Sequence, residues 1–319
     1  TRKIWESEER KEKGAVNMEV TEIELLARQV EAHPDYRVLR RLSPRQVFGE
    51  NSSGAASRAI ILDTETTGTD PFAHEVIELG MVAFDFDPST GKAIRVVEVY
   101  DALEQPSVPI PPDTTRIHGI TDEMVAGKRI DDQKVEEMLF GASLVIAHNA
   151  QFDRQFLEKR LPIFQSVPWG CSLKDVPWAE EGYGSAKLDY ILNCMGFFHE
   201  AHRAEADCLA LLEVLQFPLP VSGITGLKHL LSGQQNPSYR VWARNSPFDN
   251  KDRLKARGYR WEANEKCWFL ETTESTLQSD LAALKQDGYN GKSAKIDIEK
   301  LDSRVRFSSR GGEKTTRVI

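Results

Sequence analysis

From residue 57 to 218 the apolar positions fall first into short runs and then into helical stripes. The run Ala59-Ile60-Ile61-Leu62 predicts a buried strand at 59–64, and Val76-Ile77-Glu78-Leu79-Gly80-Met81-Val82 predicts a second at about 75–84. The acidic turn Asp85-Phe86-Asp87-Pro88-Ser89-Thr90-Gly91 leads to a third at 93–101, giving an antiparallel meander. Helical spacing follows at 113–118, 121–126 and 131–140, then a strand at 143–147 and helices near 150–160, 187–196 and 204–216. The fold class expected is α/β, a mixed sheet flanked by helices.

Beyond Phe217-Pro218-Leu219-Pro220 the pattern changes. Residues 219–237 read as a glycine-dotted linker, and 238–290 as a small α/β C-terminal domain. In it Tyr239-Arg240-Val241-Trp242-Ala243 alternates like a strand, 250–258 is a short helix stopped by Gly258, and Tyr259-Arg260-Trp261 is extended. Asn264-Glu265-Lys266 turns the chain into Cys267-Trp268-Phe269-Leu270, ahead of a helix at 274–287. Residues 291–319 are expected to be a flexible tail, and 1–56 a charged N-terminal extension with short helices, 21–33 having helical spacing and 35–42 forming another short element packed on the domain that follows. Residues 1–17 lack any apolar run, so disorder or a foreign origin is expected there, with Met18 as the native start.

The chain of 319 residues has a net charge of −8, which hides a segregation. Residues 57–218 hold 13 Lys/Arg against 27 Asp/Glu, whereas 219–319 hold 18 against 12. The basic part could supply phosphate attraction that the acidic part lacks. Cys171, Cys194, Cys208 and Cys267 form no C-x-x-C pair and no secretory segment is evident, so reduced thiols and a cytoplasmic location are expected. No run approaches the ~20 apolar residues of a membrane span, and no phosphate-binding P-loop motif supports ATP hydrolysis.

Candidate chemistry starts at Asp63 and Glu65. The two-residue period of a strand puts both carboxylates on one face, where they require a proton or a cation between them. Magnesium and manganese favour such oxygen ligands. Alone the pair reads as well as a solvated strand end. Downstream, Asp153 lies one turn into a helix beginning near Asn149, where the dipole favours an anion. His202 stands just before the helix that carries Asp207, so imidazole and carboxylate can reach one pocket. A zinc site from Cys194, His199, His202 and Cys208 is disfavoured by its irregular spacing.

Asp63-x-Glu65, His148-Asn149-x-x-Phe152-Asp153 and His202-x-x-x-x-Asp207, in that order and with Ile117-His118-Gly119 between, resemble the motifs of the DEDDh (DnaQ-like) 3′–5′ exonucleases. The proofreading epsilon subunit of bacterial DNA polymerase III belongs to that family. The resemblance runs from about Arg58 to Phe217. It implies an RNase H-like exonuclease domain over 57–218 holding two divalent ions, Mg2+ or Mn2+, with the 3′ end of a polynucleotide. Asp63, Glu65, Asp153 and Asp207 would be the metal ligands, Asp153 through water, and His202 the general base, histidine being the side chain type that exchanges a proton near neutral pH. Thr66, Gly68, Asp113, His118 and Asn149 would contact substrate. Each has an ordinary alternative: Gly68 as a turn, Asp113 as a helix-start acid, His118 as a turn residue. Glu78 reads as structural.

In the C-terminal domain, basic and aromatic residues interleave. Arg240, Trp242, Arg253, Arg257, Arg260 and Trp261 suit a surface that neutralises phosphates and stacks bases. A small core would also need its tryptophans. Three functions follow: a metal-dependent exonuclease releasing nucleoside 5′-monophosphates from DNA 3′ ends, with single-stranded DNA as partner; an exoribonuclease on RNA ends or short oligoribonucleotides; and a nucleic-acid-binding adaptor with an inactive nuclease domain. No polymerase-docking segment is evident.

Overall fold

The architecture is that of a computed structural model describing residues 16–50 and 54–319, so the expectation for residues 1–15 lies outside the described part. Helix α1 (Val16–Glu31) and the short strand β1 (Arg40–Arg41) precede the meander β2 (Ser57–Thr66), β3 (Val76–Asp87) and β4 (Lys92–Leu103). Helices α2 (Pro112–His118), α3 (Asp122–Val125) and α4 (Asp132–Leu139) lead to strand β5 (Ala142–Ala147) and helix α5 (Ala150–Arg160). Strand β6 (Trp169–Cys171), helices α6 (Ser172–Asp175) and α7 (Leu188–Cys194), strand β7 (Phe197–Phe198) and helix α8 (Ala204–Gln216) complete this part. After α9 (Gly226–Gln235) come β8 (Ser238–Ala243), α10 (Lys251–Ala256), β9 (Arg260–Glu262), β10 (Cys267–Thr273), α11 (Leu277–Tyr289), β11 (Lys295–Leu301) and β12 (Glu313–Val318).

The first sheet has the order β4-β3-β2-β5-β6, antiparallel through the meander and parallel from β2 to β6. Its central strand β2 is apolar on both faces because helices cover both. Ala59 and Ile61 join Phe84, Leu211 and Leu215 beneath α8, whereas Ile60 and Leu62 join Phe156, Leu157 and Trp169 beneath α5. Each such fully buried large side chain contributes about 1.5–3 kcal/mol. The same alternation continues past the core, so Asp63 and Glu65 emerge on the α8 side and Thr64 and Thr66 on the α5 side.

Gly80 sets how closely α8 approaches. It pairs with Asp63 across β2 and β3, and a Cβ there would lie 2.4 Å from the Ala204 carbonyl carbon. Only glycine lets the first turn of α8 rest on the sheet at that level. Beside it the buried Glu78 carboxylate accepts from the Ala204 amide at 3.2 Å and from Arg203 Nε at 3.0 Å, holding an anion at the start of α8. Glu78 is structural, as its strand position suggests.

Two expectations fail after residue 218. The supposed linker contains α9, capped by Thr225 and packed through the fully buried Leu227 and Leu230 against the first core. Its leucine spacing was obscured by flanking glycines and serines. The supposed flexible tail supplies β11 and β12 to a second sheet of order β12-β11-β8-β10-β9, so the C-terminal domain runs on well past residue 290. Ile296 and Ile298 enter its core with Val241, Leu254, Leu281 and Leu284.

Between β11 and β12 the chain crosses back to the first domain. Ser303 O accepts from the Trp169 amide at 2.7 Å, closing the open edge of β6. Arg154, with a side chain 0% exposed, donates to Ser303 O at 3.2 Å, to Arg306 O at 2.7 Å and to Arg304 O. Its Nε donates to Glu158 at 2.6 Å, and Glu158 also takes Arg310 and Ser308. Residues 302–310 thus strap the second domain to helix α5.

Candidate active site

Two strands and two helix starts converge where β2 leaves the core. Carboxylate oxygens of Asp63, Glu65 and Asp207 all lie within 4.8 Å of one another. Among the described residues this is the single group of three or more such ligands. Asp207 sits in the early turns of α8, brought over the sheet by Gly80, and its Oδ2 accepts from the His202 amide at 2.9 Å. Asp153, buried on the facing helix α5, spends its Oδ1 on the Thr64 amide at 3.0 Å and the Thr64 hydroxyl at 2.9 Å. It therefore stands beside Asp63 without joining the trio.

Electrostatics records the crowding. Burial, then the charges of Asp153, Asp207 and Glu65, push Asp63 well above the usual carboxylate range. Burial and then Asp207 and Glu78 lift Glu65 to about 8. Burial lifts Asp153 to about 7 against the opposing Thr64 hydrogen bonds. Nearby Asp101 rises to about 6 through burial and then Glu78. Arg203 offsets only part of the charge on Glu65 and Asp101. An all-oxygen set of crowded carboxylates lacking enough cation fits a hard divalent metal.

The other sequence candidates divide. His202 is exposed, with φ 65 in the left-handed region, next to the site. His118 is buried, accepts from the Ile120 amide at 3.0 Å through Nδ1, and has no partner for Nε2. Burial and then the nearby His202 lower its pKa, so the imidazole stays neutral. Thr66 donates to Gly68 O at 2.6 Å, and Gly68 is packed so closely by the His74 ring that a Cβ would lie 2.4 Å away. Asn149, exposed at φ 75, opens α5 and lines a small cavity with Thr69, Pro71 and Gln151. Asp113 is not drawn in: it lies on the surface, paired with Arg116.

In the second domain the expectation for Trp242 fails. Its ring is 3% exposed, and its indole N–H donates to Glu299 at 2.8 Å, so it is core and cannot stack a base. Arg240 and Arg260 pair with Glu271, Arg257 with Asp287, and Arg253 donates to Asn290. Trp261, 51% exposed against Trp268, remains a free aromatic face.

His199 carries a contact that motif spacing did not suggest. Its Nε2 lies 2.5 Å from Asp207 Oδ1 and its Nδ1 lies 3.4 Å from Asp189 Oδ1. The sole sequence signal was a second histidine three places before His202. The zinc set that would have used it does not form, and Cys208 is instead buried against Gly80 O.

This carboxylate trio at the strand end of a mixed sheet falls within the part of the chain that a known family covers. Residues 60–215 match the exonuclease family RNase_T, and this stretch of the chain is a domain of that family. The chain is similar to the PolC-type DNA polymerase III of Thermotoga maritima, 34% identical over 134 residues, 41% of this chain and 9% of that polymerase. It is 29% identical to the DNA polymerase III subunit epsilon of Treponema pallidum over 161 residues, 48% of this chain and 72% of the subunit. Among solved structures, Exonuclease X in complex with 5′ overhanging duplex DNA aligns with 54% of this chain and 97% of its own, at 26% identity and TM-score 0.41. Among the described residues no helix is long and apolar enough to cross a membrane.

Proposed function

We infer that the protein is a metal-dependent 3′–5′ exonuclease that releases nucleoside 5′-monophosphates from DNA 3′ ends. The observation that carries the reading is the meeting of Asp63, Glu65 and Asp207 within 4.8 Å in an exonuclease-family domain. These three would hold two divalent ions, Mg2+ or Mn2+, with Asp153 alongside. When bound, the ions supply Lewis acidity and offset the charge of the phosphodiester.

The chain's own residues do the rest. His202 accepts the proton of the attacking water, and its exposed position on a loop tied to Asp207 through the backbone suits that task. His118, kept neutral by burial, offers its unpartnered Nε2 to the terminal nucleotide. The backbone at Thr66–Gly68, held by the Thr66 hydroxyl, forms the wall against which the last sugar rests.

Purified protein should shorten a 5′-labelled strand stepwise with magnesium or manganese and stop with chelator. Asp63→Asn should abolish turnover without loss of fold, and His202→Ala should lower kcat far more than binding. Equal digestion by Asp63→Asn and the parent would refute the metal assignment, and a product series starting from the 5′ end would refute the polarity.

A further inference from the structure

Asp207 is held before any ion arrives. Its Oδ1 lies 2.5 Å from His199 Nε2, and its Oδ2 accepts from the His202 amide at 2.9 Å. Two donors from one short loop, a ring and a backbone N–H three residues further on, fix the plane of a carboxylate that belongs to the acidic trio. Among the described hydrogen bonds the Asp63 and Glu65 carboxylates accept none, so the aim of the trio is set through Asp207.

His199 is itself built in. Its side chain is 6% exposed, whereas His202 on the same loop is open to solvent. Its Nδ1 is buried 3.4 Å from Asp189 Oδ1, on α7. Strand β7, which ends one residue before it, lies parallel to β1: the Arg40 amide donates to Gly196 O at 2.9 Å and the Leu42 amide to Phe198 O at 2.8 Å. Arg41 pairs with Glu200 at 2.6 Å, one residue after it. At the far end of the loop Glu78 holds Arg203 and the Ala204 amide. Both ends of the loop are anchored, and β1, the rail on one side, lies outside residues 60–215, the stretch matched by the exonuclease family.

We propose that His199 is a positioning residue whose imidazole fixes the Asp207 carboxylate for the metal and, through that carboxylate, the loop that carries His202. The assignment rests on the nuclease function inferred above. One side chain then sets both the affinity for the ion and the placing of the general base, because Asp207 is the group that the ring and the His202 backbone share. A histidine that merely packed would tolerate any side chain of like bulk. A positioning one needs a donor where Nε2 stands. Glutamine carries its amide nitrogen about as far from the backbone as Nε2, asparagine stops short of it, and leucine has bulk without a donor.

The test uses the full chain. Manganese binding is followed by calorimetry for the parent, His199→Gln, His199→Asn and His199→Leu, each at a temperature where it is folded. The leucine and asparagine variants should bind about tenfold more weakly, the usual cost of losing a partner behind a metal ligand, whereas His199→Gln stays within about threefold. The asparagine–glutamine pair keeps the comparison should the leucine variant fail to fold. On a 5′-labelled strand the weakened variants should lose kcat by a similar factor while KM moves by less than about twofold. In chelator, exchange of the His202 amide should quicken about tenfold in His199→Asn and stay parental in His199→Gln, because that amide is bonded to the carboxylate that His199 releases. Parental manganese affinity in the leucine and asparagine variants would overturn the assignment, as would a glutamine variant no better than asparagine. A parent that binds no manganese would count against the nuclease reading alone, since exchange in chelator still judges the grip on Asp207, and an unchanged His202 amide there would overturn it.

Discussion

Replacing Arg154 by Met keeps bulk under Trp169 and removes a buried guanidinium. Three strap carbonyls, at Ser303, Arg304 and Arg306, would lose a hydrogen bond, Ser303 O keeping the Trp169 amide and Arg304 O keeping Arg310, and Glu158 would lose one of its two arginines. Four charge-assisted bonds at about 1.5–3 kcal/mol each overstate the loss, because the buried cation also carries a desolvation cost. That cost is visible in the Arg154 pKa, which burial lowers despite Glu158. Removing one member of a buried pair typically costs about 3–5 kcal/mol, and Glu158 retains Arg310 at 3.0 Å and Ser308, so about 3 kcal/mol is expected. Denaturant midpoints at constant m-value measure it. Manganese titration by calorimetry adds the functional half, since α5 carries both Arg154 and Asp153: the variant should bind manganese more weakly at a temperature where it is still folded. A stability loss under about 1 kcal/mol with parental manganese affinity would refute the view that the strap holds α5 in place.

Other expectations follow from the same geometry. Gly80→Ala should push α8 off the sheet, weakening manganese binding more than it lowers the melting temperature, and parental affinity would refute the role given to that close approach. Glu65, Asp153 and Asp101 rise to about 8, 7 and 6. The metal-free folded state thus holds protons that the unfolded chain has released, so its stability should fall as pH rises from about 4 to 8. Magnesium should then raise the melting temperature more at pH 8 than at pH 5, and the reverse order in calorimetric scans would contradict the crowded-carboxylate picture. Trp242→Ala should destabilise by about 3–5 kcal/mol as a core truncation, while the exposed Trp261→Ala should cost under about 1 kcal/mol in the same unfolding assay.

Much of the site was legible because β2 alternates without interruption. The period that buries Ile60 and Leu62 on one side also aims Asp63 and Glu65 to the other, and a helix start supplies Asp207. What the sequence concealed depends on distance along the chain. The Arg154 contacts join residues about 150 positions apart, and no local pattern marks a carbonyl-binding loop. Lys-Ile-Asp-Ile-Glu-Lys looks solvated in isolation, yet its isoleucines fill a core that only the second sheet creates. The arginines flanking Trp242 in sequence suggest a surface stacker, yet Arg240 and Arg244 lie over its ring and cover it. His199 carried no motif at all.

The strap also orders events during synthesis. Residues 57–218 leave the ribosome with Arg154 already destined for the interior and with only Glu158 of its own helix as an acceptor until residues 302–310 appear. At 5–20 residues per second that interval is on the order of ten seconds. A nascent chain in that interval has an incomplete seat for the helix bearing Asp153, so full assembly of the acidic site waits on a segment made roughly eighty residues later.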